Sequence, residues 1–241
     1  MSTRHAVAVA MLASTMAAAV AAEDAGPMDL EGRVESRVPP SLARPLTTSS
    51  ELRLVWVDPT GVGVGAEAAA RDEARSLLRK MGATVSWRRG NAGEPARPGE
   101  VRVILLDRTT ENSGKAVLGA TPSHFEVAPY LWVHVPSVCA VIGLDPRRPA
   151  FTMTPPALRA LAIALGRVVA HELVHALAPS VPHGKGLMSA ALTIRQLTAS
   201  SIPFEPEVGL AVQAALRGDP LGPRPDTGVL AASTATEDPV R

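Results

Sequence analysis

Between Thr154-Pro155-Pro156 and Pro179 the chain carries a long helical run, and from Ala157 to Ala178 it is apolar almost all the way round. Thr154 fits an N-cap, proline is tolerated in a first turn, and Pro179 must end the helix. A helix with no polar face is a buried helix. Its few polar residues, Arg159, Arg167 and the set His171, Glu172 and His175, are then costly unless each has a partner. The rest of the fold has to enclose this helix and also give those groups something to do.

His171-Glu-Leu-Val-His175 is the pattern H-E-x-x-H. Residues four apart on a helix differ by about 40° round the axis and one turn along it, so the two imidazoles face the same way at chelating distance. Glu172 lies about 100° from His171, where it can reach water on the metal without ligating the metal. Zinc acidifies such water and polarises a carbonyl, and the carboxylate takes the proton. Chance produces this pattern in about one chain in a hundred of this length, so the apolar setting matters: it makes an accidental trio expensive. Glu172 is the expected catalytic base, with His171 and His175 as ligands.

A catalytic zinc takes three protein ligands and keeps one position open. His183 lies beyond the breaks at Pro179 and Pro182, where the chain can turn back, and is the expected third ligand; a solvent-facing loop histidine is the plain alternative. Glu205 and Glu207 compete for the role, but Pro206 between them interrupts a helix that would present them.

The N-terminus reads as an export signal: Arg4, an apolar run from Ala6 to Val20, and small residues at Ala19 to Ala22 before Glu23 and Asp24. That run is about 15 residues, short of the roughly 20 that span a bilayer, so no stable membrane insertion is expected after cleavage. Residues 1–22 form the signal and 23–50 a linker or short pro-segment. Residues 51–217 are expected to make one domain, which the H-E-x-x-H motif marks as a zinc peptidase, and 218–241 a flexible C-terminal tail. The expected location is secreted or periplasmic. Removing 1–22 takes away Arg4 and leaves 23 basic residues against 23 acidic ones. That balance excludes nucleic acid or anionic lipid as the main partner, because both need a concentrated basic footprint. The pairs Arg88–Arg89 and Arg147–Arg148 read as solvated loop charges. Cys139 is the single cysteine, so no internal disulfide can form, and it reads as a buried, inert thiol.

Alternating apolar residues make Glu51 to Val57 a strand. A helix follows from about Ala66 to Met81, then strands at Thr84 to Arg88 and Val101 to Leu106, an α/β opening. Gly61, Gly63 and Gly65 do not have the spacing of a dinucleotide fingerprint and read as a turn. From Pro129 to Leu144 the chain looks extended, with Pro136 favouring an edge strand or a bent pair. Helices are expected around Ala190 to Ala199 and from Glu205 to Arg217.

The run His171-Glu-Leu-Val-His175-Ala-Leu-Ala-Pro-Ser-Val-Pro-His183-Gly-Lys-Gly-Leu-Met188 resembles the metzincin zinc peptidases, whose pattern is H-E-x-x-H, a turn, a third histidine and a methionine turn. It departs from them in placing the third histidine two positions late, with Ala178 where the glycine stands. The resemblance is specific over 171–188 and extends elsewhere only to element order. It implies an α+β (α/β) fold in which a twisted mixed sheet has an edge strand over the long buried active-site helix, with C-terminal helices after it. It also implies that a peptide or protein substrate pairs with the edge strand, and that Met188 lies under the zinc as a hydrophobic floor. Metzincins often carry tyrosine after that methionine. Ser189 stands here and the one tyrosine is Tyr130, so the oxyanion helper is left among His124, His134 and Arg195.

Two other readings compete. A non-catalytic, zinc-stabilised binding protein needs a fourth ligand from His124, His134, Cys139 or a carboxylate, and has no use for Glu172. A hydrolase of a non-peptide amide would share every feature above.

Overall fold

β1 (Glu51–Val57) is flanked on both sides by parallel strands, which explains why five of its residues, Leu52, Leu54, Val55, Trp56 and Val57, are buried. The computed structural model describes residues 51–95, 97–112, 115–122, 130–218 and 229–231. The expected signal, the linker and His124 lie outside them.

After β1, α1 (Glu67–Lys80) returns the chain to the parallel strand β2 (Thr84–Gly90), and β3 (Glu100–Leu106) pairs with the other side of β1. Next come β4 (Glu111–Asn112), β5 (Lys115–Ala120) and β6 (Tyr130–His134). The sheet order is β2-β1-β3-β6-β5-β4. β6 is parallel to β3, β5 is antiparallel to β6, and β4 is antiparallel to β5. β7 (Val229–Ala231) pairs antiparallel with β5 as well. The result is the mixed α/β sheet expected.

The helical layer is built on apolar stripes. α1 buries Ala70, Ala74, Leu77 and Leu78, a spacing that makes one face, and packs on α3 (Pro155–Leu177). α3 begins after Thr154, whose hydroxyl makes no capping bond, and from Ala164 to Leu177 every residue is buried. By length and composition α3 could cross a membrane, but 89% of its most apolar window is buried inside the protein, which makes it a core helix. It also contacts β5 and β6. α4 (Ile194–Thr198) and α5 (Pro206–Arg217) complete the layer.

Four details depart from the sequence reading. Tyr130–His134 is an interior strand between β3 and β5, and it ends at His134. The following residues form α2 (Val135–Val141), with Pro136 in its first turn, where a missing N–H costs nothing. Arg88 is no solvated loop charge: it lies in β2 and grips Glu100 through Nε and Nη2 at 2.8 and 2.6 Å, with Glu94 alongside. Within the expected flexible tail, Val229–Ala231 is a strand.

Candidate metal centre

α3 presents His171 and His175 on one face, as the four-residue spacing requires, and their Nε2 atoms lie 3.1 Å apart. His183 Nε2 lies 3.2 Å from His175 Nε2, and the ligand atoms of the three residues fall within 4.8 Å of one another. No other group of three or more histidine, cysteine or acidic side chains gathers in this way among the described residues. Burial is the main reason that the His171 ring is held down to about 3, with His175 next to it adding to the effect; burial likewise lowers His183. Neutral imidazoles keep the lone pairs a cation needs.

The backbone after α3 brings His183 into place. Ala178 leaves the helix at φ −127°, a conformation open to any residue, so the position needs no glycine and the two additional residues of the loop carry the chain round. Gly184 N–H donates to the Met188 carbonyl at 2.8 Å, which closes the loop onto the turn Gly186–Met188. That turn does need its glycine. Gly186 has φ +61°, and a Cβ there would lie 2.1 Å from the Pro203 carbonyl oxygen. Met188 and Leu187 are buried within it, and the Leu187 carbonyl accepts a hydrogen bond from His171 Nδ1 at 2.7 Å. With its proton held on Nδ1, His171 offers the Nε2 lone pair to the cluster.

Glu172 is fully buried, and burial pushes its carboxyl up to about 8, with the Thr121 hydroxyl pulling the other way. Thr121 Oγ1 lies 2.8 Å from Oε2 and 2.9 Å from the Glu172 backbone carbonyl. Oε1 has no hydrogen-bond partner among the described residues. A buried oxygen left over in this way is costly unless the site gives it a proton to handle. β5 passes directly over this carboxylate. A Cβ on Gly119 would lie 2.9 Å from Glu172 Cγ and 2.9 Å from Val168 Cγ1, so only glycine lets the strand come this close.

Of the other sequence candidates, Glu205 and Glu207 are exposed and stand outside the cluster, although the Glu205 carboxylate lies beside Gly184. His134 is buried at the end of β6 with Nδ1 2.9 Å from the Arg108 carbonyl, and Arg195 is exposed on α4. Ser189 accepts a hydrogen bond from the Gln196 side chain at 2.7 Å, and the same amide reaches the Gly186 carbonyl at 3.1 Å, so Gln196 ties the methionine turn to α4. The Cys139 thiol is buried and pushed up to about 11 by that burial, which makes it inert. Thr121, Gly119 and Gln196 were not singled out from the sequence. Thr121 and Gly119 act through contacts with α3, far away in the chain, which leave no local pattern, whereas Gln196 completes the capping box Thr193-x-x-Gln196, a local signal.

Compared by sequence, the chain matches no protein-family model and no curated protein. Compared by structure, it is similar to the archaemetzincin of Methanopyrus kandleri, with a TM-score of 0.50 at 15% identity over 70% of this chain and 97% of that one. At that identity the likeness is one of fold, and the chain has a metzincin-like α/β fold, with a three-histidine cluster on its core helix and the loop that follows.

Proposed function

We propose that the chain is an exported zinc-dependent peptidase in which His171, His175 and His183 hold the ion and Glu172 is the general base. The observation that carries this is the convergence of three imidazoles next to a buried carboxylate with an unpartnered oxygen. The donor set fits zinc: three nitrogen ligands, no fourth ligand in the cluster among the described residues, and His171 fixed in the ligating tautomer. When bound, the ion would supply Lewis acidity, polarising a substrate carbonyl and acidifying water.

The chain's own residues do the rest. Glu172 takes a proton from the attacking water and returns it to the leaving amine. Thr121 holds one carboxylate oxygen so that the other faces the reaction, and the buried Met188 would supply an apolar wall for the site. β5, which lies against Glu172, is the strand beside which an extended peptide would pair. The N-terminal 22 residues direct export.

Two measurements test this reading. Elemental analysis of the mature protein should find one zinc per chain, weakened in His183→Ala, with chelator-sensitive hydrolysis of a casein-type substrate in the wild type. Zinc unaffected by that substitution would remove His183 from the site, and no zinc at all would overturn the proposal. The second concerns Thr121. Thr121→Val keeps the shape and loses the hydroxyl, so kcat should fall roughly tenfold to a hundredfold, the worth of a hydrogen bond to a charged group. KM and zinc content should hold, and Thr121→Ser should restore the rate.

A further inference from the structure

We propose that Val229–Ala231 is a built-in occupant of the substrate edge: it pairs with the side of β5 that an extended peptide must use, and so holds the site closed until it is displaced. This inference rests on the peptidase reading above and adds regulation to it.

The argument starts from β5. Gly119 crosses the sheet at Glu172, so the backbone of β5 at Gly119 and Ala120 runs along the general base. A strand has two edges. One edge of this pair of residues is taken by β6, with Gly119 opposite Val133 and Ala120 opposite Trp132. The other is taken by β7, with Gly119 opposite Leu230 and Ala120 opposite Val229. β4 pairs only with Lys115 and Ala116 and does not reach this far along β5. If β7 left, the outer backbone groups of β5 would be free where the strand passes Glu172. A peptide that added there would take over the same antiparallel pairing. Neighbouring strands lie about 4.8 Å apart, so a substrate and β7 cannot share that edge.

The hold is built to be reversible. β7 is three residues long, and its register with β5 shifts between Val117 and Gly119. A ladder this short is weak by itself. It is sustained by covalent attachment: only residues 219–228, with Pro220, Gly222, Pro223, Pro225 and Gly228 among them, separate it from the end of α5 and its cap Gly218. Short attachment gives an effective concentration in the millimolar range, enough to favour the closed state without making it permanent. A strand closed nine-tenths of the time weakens apparent substrate affinity about tenfold.

The test uses the full-length, zinc-loaded chain beside full-length Leu230→Pro, since proline removes the N–H and fixes the backbone at the centre of β7. Four quantities are read: zinc content, amide exchange at Val117, Gly119 and Ala120, hydrolysis of an unstructured peptide, and binding of a labelled synthetic peptide of residues 225–235. The expected result is unchanged zinc, faster exchange along β5, KM lowered about tenfold, and binding of the labelled peptide about tenfold tighter by Leu230→Pro than by wild type. That peptide should also inhibit Leu230→Pro competitively. Faster exchange with unchanged hydrolysis, equal peptide binding by the two proteins, or loss of zinc together with a lower melting temperature would each overturn the proposal. If neither protein cleaves peptide while the labelled peptide still binds Leu230→Pro about tenfold tighter than wild type, the peptidase reading fails and the occupancy of the β5 edge stands.

Discussion

Glu172→Gln is expected to keep its zinc and lose roughly a thousandfold in peptide turnover, the middle of the range for a positioned general base. Glutamine has nearly the same shape and fills the same buried space, and its amide oxygen can still accept from Thr121. What it cannot do is take a proton. Glu172 is not among the clustered side chains, so metal content should match that of the wild type. The substitution also removes a carboxyl that burial pushes up to about 8, and with it a desolvation cost, so the metal-free variant should melt no lower than the wild type. Zinc stoichiometry and kcat measured on the same sample separate the cases. Retained turnover would take the base role away from Glu172, and lost zinc would make it a structural part of the site.

The gathering of the three histidines was legible in the sequence because helical geometry fixes the relation of His171 to His175 before any tertiary contact is known, and the prolines at 179 and 182 confine where His183 can go. The buried helix was legible for a similar reason: a run that is apolar all round has one physical solution. What covers the site was not. β5 is six residues long and contains Gly119, a weak strand signal, yet that glycine is what allows the strand to approach Glu172. The stretch after His134 is rich in β-branched residues and read as extended, but a short apolar run fits helix and strand alike, and Pro136 starts a helix there. Thr121 and Gln196 act on residues 51 and 10 positions away, at Glu172 and Gly186, distances over which no periodicity speaks.

Arg167→Leu should destabilise the protein by roughly 2–5 kcal/mol, the cost of leaving two carbonyls and the partly exposed Glu73 carboxylate without their donor. Arg167 is 1% exposed in the middle of α3. Its Nε donates to Glu73 of α1 at 2.9 Å, Nη1 to the Gln196 carbonyl at 2.6 Å and Nη2 to the Ala199 carbonyl at 2.7 Å. One planar guanidinium therefore joins α1, α3 and α4, a task a lysine ammonium lacks the fork geometry to perform. Leucine would fill much of the volume and leave two carbonyls without their donor and Glu73 without its charge partner. The loss should also reach the metal. Arg167 anchors the backbone of Gln196, whose side chain holds Gly186 and Ser189, and the turn between those residues supplies the Leu187 carbonyl that orients His171. Chemical denaturation of the metal-free protein measures the first effect, and competitive zinc titration of the folded variant the second. A stability loss with zinc affinity unchanged would show that the methionine turn stands without this anchor. A loss below about 1 kcal/mol would put Arg167 in the class of surface ion pairs and contradict its burial.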